Sequence, residues 1–137
     1  MSVYALENTL PELMRSNIID TRDLIKRADE IEGDLVNLDE DHHDYEDDKK
    51  ELQDELDEIN AILKEVEGYA GDSPRDGVML VADSYWVSYA QELAEEIGAV
   101  NANASWPNNH IDWKAAADDL QQDYTSVDIG GEDWWFR

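Results

Sequence analysis

Apolar residues recur at steps of four and three through Leu24, Ala28, Ile31, Leu35, Leu38, His42, Tyr45, Lys49, Leu52, Leu56, Ile59, Leu63 and Val66. That is a heptad repeat, and it predicts coiled-coil helix across the whole stretch. His42 and Lys49 are the polar members of the seam, and both fall in or beside the most charged run of the chain, Asp39 to Glu51. The unbroken phase and the lack of Gly or Pro between residues 34 and 67 favour one straight helix of about 45 residues pairing with another chain. The alternatives are a helical hairpin that turns near Asp39 to Asp44, with its arms packed on each other, and an ordinary amphipathic helix in a bundle.

Charge is the second constraint. The 137-residue chain has a formal net charge of −25. Residues 34–72 alone hold 16 acidic and 3 basic side chains, net −13. Such a field repels nucleic acid and acidic membranes and attracts basic protein surfaces, of which DNA-binding grooves are the commonest. Five Trp, six Tyr and one Phe, with the apolar period, argue against the disorder that acidity alone suggests. There is no cysteine, hence no disulfide or thiolate chemistry. No apolar run is long enough to span a bilayer, and the first residues lack a signal-peptide pattern, so a cytoplasmic location is expected.

Along the chain, Thr9 caps a short helix with Pro11 in its first turn, an extension covering residues 1–19. Asp20 or Thr21 caps the acidic arm, residues 20–67, and Gly33 weakens that arm without ending it. Gly68 to Gly77 read as a linker. Residues 78–137 then form a small unit. Val78 to Ala82 are a strand or the lead-in to a helix, and a helix capped by Asp83 or Ser84 reaches Ile97. After a loop at Asn101 to His110, a second helix capped by Asp112 reaches Gln122. Tyr124 to Ile129, Gly130-Gly131 and Asp133 to Phe136 predict a β-hairpin, with Trp134 and Phe136 on one packed face, favoured over a dimer contact made by these C-terminal aromatics. The fold class is therefore α+β, mostly α: a long acidic coiled-coil helix or helical hairpin, followed by two helices and a β-hairpin.

The series Tyr89-Ala90, Glu95-Glu96, Gly98-Ala99, Ile111-Asp112-Trp113, Ala115-Ala116, Asp119-Leu120, Tyr124, Ser126-Val127 and Gly130 resembles the C-terminal domain of the ArdA antirestriction proteins. Trp106-Pro107, Ile111-Asp112-Trp113 and Asp123 to Val127 are also similar to segments of uncharacterised phage and prophage proteins. The resemblance covers residues 78–137. It implies an acidic, dimeric DNA mimic that occupies the DNA groove of Type I restriction–modification enzymes. The family carries further α/β domains ahead of this unit, and here an acidic heptad segment stands in their place.

The charge spacing is compatible with mimicry. Duplex DNA carries one charge per roughly 1.7 Å, so 39 helical residues, about 58 Å long, match DNA bearing about 34 charges. Two copies of the segment bear twice its −13. The expected mimic surface is Asp39, Glu40, Asp41, Asp44, Glu46, Asp47, Asp48, Asp54, Glu55, Asp57 and Glu58. The expected homodimer seam is Leu24, Ile31, Leu35, Leu38, Tyr45, Leu52, Leu56, Ile59, Leu63 and Val66. The partner is a basic DNA-binding protein, either a restriction enzyme or another defence nuclease such as a CRISPR effector, with no direct contact to nucleic acid or membrane. The rival is a coiled-coil adaptor or structural phage protein whose seam binds a partner helix. No cofactor, metal or catalysis is expected. With 35 acids no carboxylate pair is informative, no Ser–His–Asp set is readable, and neighbouring His42 and His43 on a helix point about 100° apart and do not converge on one ion.

Overall fold

The computed structural model describes residues 9–101, 103 and 105–137, so the first eight residues of the expected N-terminal extension lie outside it. The elements in order are α1 (Leu10–Met14), β1 (Ile18–Asp20), α2 (Thr21–Val36), α3 (Tyr45–Tyr69), β2 (Met79–Ala82), α4 (Trp86–Glu96), α5 (Trp113–Gln121), β3 (Thr125–Ile129) and β4 (Glu132–Phe136). Four antiparallel strands in the order β1-β2-β4-β3 make the middle layer. The alternation of the strands gives each face its own core. Ile19, Leu80, Ala82, Ile129, Trp134 and Phe136 pack against α2 and α3. Val81 and Trp135 pack with Trp86, Ala90 and Ala117 from α4 and α5.

The straight helix is not formed. The chain leaves α2 at Asn37 and turns back into α3, and the two helices pack on each other as a hairpin. Three local causes act together. The segment from Asp34 to Asp44 is rich in Asp, Asn and His, which are poor helix formers. Asp39 Oδ1 accepts the Asp41 N–H at 2.9 Å, and His42 Nδ1 accepts the Asp44 N–H at 3.2 Å, so side chains compete for backbone donors. Carboxylates three and four apart, Glu40 with Asp44 and Asp44 with Asp47 and Asp48, would also repel on a continuous helix. Folding back buries the seam without a second chain: Leu24, Ile31, Leu52, Leu56, Ile59 and Val66 are buried in the interior, with Leu35, Leu38, Tyr45 and Leu63 half-buried. The expected homodimer seam is thus an intramolecular one. Its phase also shifts on α3, where Ile62 is buried at 2% exposure and the heptad member Leu63 is only half-buried. The helix covers the sheet as well as α2, which needs a wider stripe than a coiled-coil seam.

The acidic segment and the C-terminal strands therefore share one core, where an arm joined by a linker was expected. The linker itself is tied down at a buried hydroxyl. Thr21 Oγ1 donates to the Pro74 carbonyl at 2.7 Å and accepts from the Val78 N–H at 2.8 Å. The caps at Thr9, Asp20 and Asp112 form as expected, each side chain accepting a first-turn N–H. The helix expected from Asp83 or Ser84 instead begins with a 3₁₀ turn, Asp83–Tyr85, without a side-chain cap. β1 was not anticipated. The two-glycine turn joins β3 to β4 with φ of +63° at Gly130 and +88° at Gly131, values suited to a tight hairpin of right-handed strands. Trp134 and Phe136 share the packed face, at 1% and 0% exposure.

Candidate interaction surface

The hairpin offers solvent a ridge of carboxylates. Residues 21–69 hold 19 acidic and 6 basic side chains, net −13, on a body as long as α3. A 25-residue helix spans about 37 Å, a length over which duplex DNA carries about 22 charges. One folded chain thus presents over half the linear charge of DNA, without the second copy that a rod would need.

Of the expected mimic residues, Asp39, Glu40, Asp41, Glu46, Asp47, Asp54, Asp57 and Glu58 are exposed, and Asp44, Asp48 and Glu55 are half-buried. Glu51, Glu65 and Glu67 on α3 and Asp29 and Glu32 on α2 are exposed too and extend the surface beyond the expected set. Their place is visible only once the hairpin aligns the two helices. Local partners draw on part of the charge. Lys50 Nζ sits 2.8 Å from Asp54, Lys49 lies over the Tyr45 ring at 5.7 Å, and the Gln53 side-chain amide donates to Asp57 at 2.9 Å.

Glu55 has a different role from its neighbours. Its carboxylate takes two hydrogen bonds from Arg27, Nε to Oε2 at 2.6 Å and Nη2 to Oε1 at 3.1 Å, and a third from the Leu10 N–H at 3.3 Å. Arg27 is 2% exposed and also lies 3.6 Å from Glu30. The hydrogen bonds to Glu55 hold the guanidinium pKa above its ordinary value, against a smaller opposing effect of burial. This pair joins α1, α2 and α3 and takes Glu55 out of any purely electrostatic surface.

The opposite layer is apolar by comparison. A groove of about 280 Å³ between α4 and α5 is lined by Ala90, Leu93, Ile97, Trp113, Ala116 and Leu120, with Asp119 and Asp123 alongside. Ile97 and Trp106 are 69% and 74% exposed. The residues on which an ArdA resemblance is expected lie mainly in this layer. Tyr89, Ala90, Leu120 and Tyr124 pack the second core around Trp86, whose Nε1 donates to the Ala117 carbonyl at 2.7 Å. Trp135 Nε1 donates to Asp83 at 3.0 Å, which fixes the strand to the start of α4. Burial and the Tyr124 hydroxyl together push the Tyr89 phenol pKa upward. Among the described residues, no helix is long and apolar enough to cross a membrane.

No family model matches the chain, and no curated protein or solved structure gives a significant match.

Proposed function

We propose that the chain acts by binding and not by catalysis, as a DNA mimic whose acidic hairpin occupies the DNA-binding surface of a basic protein. The observation that carries this reading is the division of labour within the hairpin. Its apolar seam is consumed inside the chain, so what it presents to a partner is carboxylate. A coiled-coil adaptor would need that seam to be open. The resemblance of residues 78–137 to ArdA proteins selects the target class: a Type I restriction–modification enzyme, inhibited on behalf of a phage or mobile element in the host cytoplasm. The mechanism is occlusion. Carboxylates take the place of phosphates against the basic side chains of the groove, no single residue dominates, and attraction weakens with salt.

The test is DNA cleavage by a Type I restriction enzyme on unmodified DNA, with and without this protein, at low and high salt. Inhibition should fade as salt rises. It should vanish when Asp39, Glu40, Asp41, Asp57 and Glu58 are changed together to their amides, while each single change has little effect. Inhibition that survives both salt and neutralisation would refute mimicry. An absence of inhibition alongside salt-sensitive inhibition of another defence nuclease would move the target and keep the mechanism.

A further inference from the structure

On one helix, neighbouring His42 and His43 would point about 100° apart. They lie in the turn between α2 and α3, where adjacent side chains converge. The two imidazoles stack with centroids 4.5 Å apart and 26° between their planes. His43 Nε2 is 3.2 Å from Asp44 Oδ2. One ligand atom from each of His42, His43 and Asp44 lies within 4.8 Å of the others.

Asp44 supplies an independent indication. It is the N-cap residue of α3, a position whose carboxylate ordinarily accepts a first-turn N–H. Here it makes no capping bond and faces His43 instead. We propose that His42, His43 and Asp44 form a binding site for a transition-metal dication of the zinc type, with water completing the coordination.

The donor set selects the metal class. Two imidazoles and one carboxylate suit zinc, cobalt or nickel better than calcium or magnesium, which prefer all-oxygen shells. Tetrahedral zinc at about 2.0 Å from each ligand needs donor atoms about 3.3 Å apart. The side chains have room to close to that spacing because they are solvent-exposed: the His43 side chain is 83% exposed and that of Asp44 47%. Coordination through His42 Nδ1 would exchange its 3.2 Å hydrogen bond from the Asp44 N–H for a metal bond. The surroundings favour a cation. No lysine or arginine occurs between Arg27 and Lys49, while Asp39, Glu40, Asp41, Glu46 and Asp47 flank the cluster. A bound dication would offset their mutual repulsion and brace the turn ahead of α3.

The experiment uses the untagged, metal-free full chain. Cobalt(II) titration followed by visible absorbance reports imidazole ligation, and calorimetry with zinc chloride gives stoichiometry and affinity. One equivalent of metal should bind, with a ligand-field band for cobalt that zinc abolishes and equimolar magnesium or calcium leaves unchanged. The double variant His42→Ala/His43→Ala and the single variant Asp44→Asn should each weaken zinc binding by about tenfold or more. An Asp39→Asn/Asp41→Asn variant should change affinity far less. Far-UV circular dichroism checks that each variant keeps the hairpin, and His43→Gln replaces the double variant if the latter unfolds. Zinc bound with equal affinity and stoichiometry by wild type and histidine variants, or no cobalt band, would overturn the site and leave only loose association with carboxylates.

Discussion

The Arg27–Glu55 pair gives the sharpest test of how the acidic hairpin is held. Glu55→Gln keeps the shape of the side chain and removes the charge that faces a guanidinium of 2% exposure. Removing one partner of a buried pair costs about 3–5 kcal/mol, because the remaining charge stays buried without compensation. The lower end applies here. Glu55 is itself 17% exposed, and Glu30 remains 3.6 Å from Arg27. A loss of about 3 kcal/mol is therefore expected. With a urea m-value of about 1.5 kcal/mol/M, that moves the unfolding midpoint down by about 2 M at constant m. The assay is equilibrium urea unfolding followed by far-UV circular dichroism. The double variant Arg27→Met/Glu55→Leu is the control. Replacing both charges with apolar side chains of similar size should restore part of the loss, since the desolvation cost of the pair disappears while Glu30 and the Leu10 N–H each lose a partner. A Glu55→Gln midpoint within error of wild type, or a double variant as unstable as the single one, would refute the argument that desolvation governs this contact.

Other positions make separable predictions. Thr21→Val should cost about 1–3 kcal/mol in the same assay, because it strands the buried Pro74 carbonyl and Val78 N–H, which bond to the hydroxyl at 2.7 and 2.8 Å. The Asp20 carboxyl, held below its ordinary 3.8 mainly by hydrogen bonds from the Arg22 side chain, should titrate below that value by NMR. The sign follows: its contribution to stability is fully present above 3.8 and is lost as pH falls through the lower, folded-state value. Gly77→Ala should destabilise by about 1–3 kcal/mol and return the Asp20 titration toward its ordinary range. Gly77 has φ of +93°, and an added Cβ would meet Arg22 Nε at 2.8 Å, displacing the guanidinium that bonds Asp20.

Much of the local structure was legible because its signals are local. Thr9, Asp20 and Asp112 announce helix starts by side-chain chemistry that acts within three residues. Gly130-Gly131 announces the hairpin by the positive φ that its turn requires. The partner of the acidic helix was not legible in the same way. A heptad phase states which residues face a neighbour and is silent on whether that neighbour is another chain or the same one. The turn that decides the matter contains no Gly or Pro, and uses Asp39 and His42 side chains to take up backbone donors instead. β1 escaped notice because three residues, Ile18–Asp20, are too few to show alternation and run directly into a helix cap. At the candidate surface the acids could be named one by one. The separate role of Glu55 could not, since its partner lies 28 residues away on another helix. The heptad register runs through His42 and implies a helix there, which places His42, His43 and Asp44 on diverging faces that the turn brings together.

The strand order has a consequence for how the molecule assembles. The α2–α3 and β3–β4 hairpins close through short turns and can form early, at little loop-closure entropy. β4, however, sits between β2 and β3, so Ala82 must find Trp134 across the whole α4–α5 excursion. That pairing closes a loop of roughly fifty residues and, with the β1–β2 pairing of Ile19 and Leu80 across the α2–α3 hairpin, is a slow, non-local step. Until it forms, Leu80 and Trp134 have no common core and the sheet exists only as two unjoined halves. Substitutions at the β2–β4 junction should therefore mainly slow refolding, while substitutions whose contacts form after this step should mainly speed unfolding.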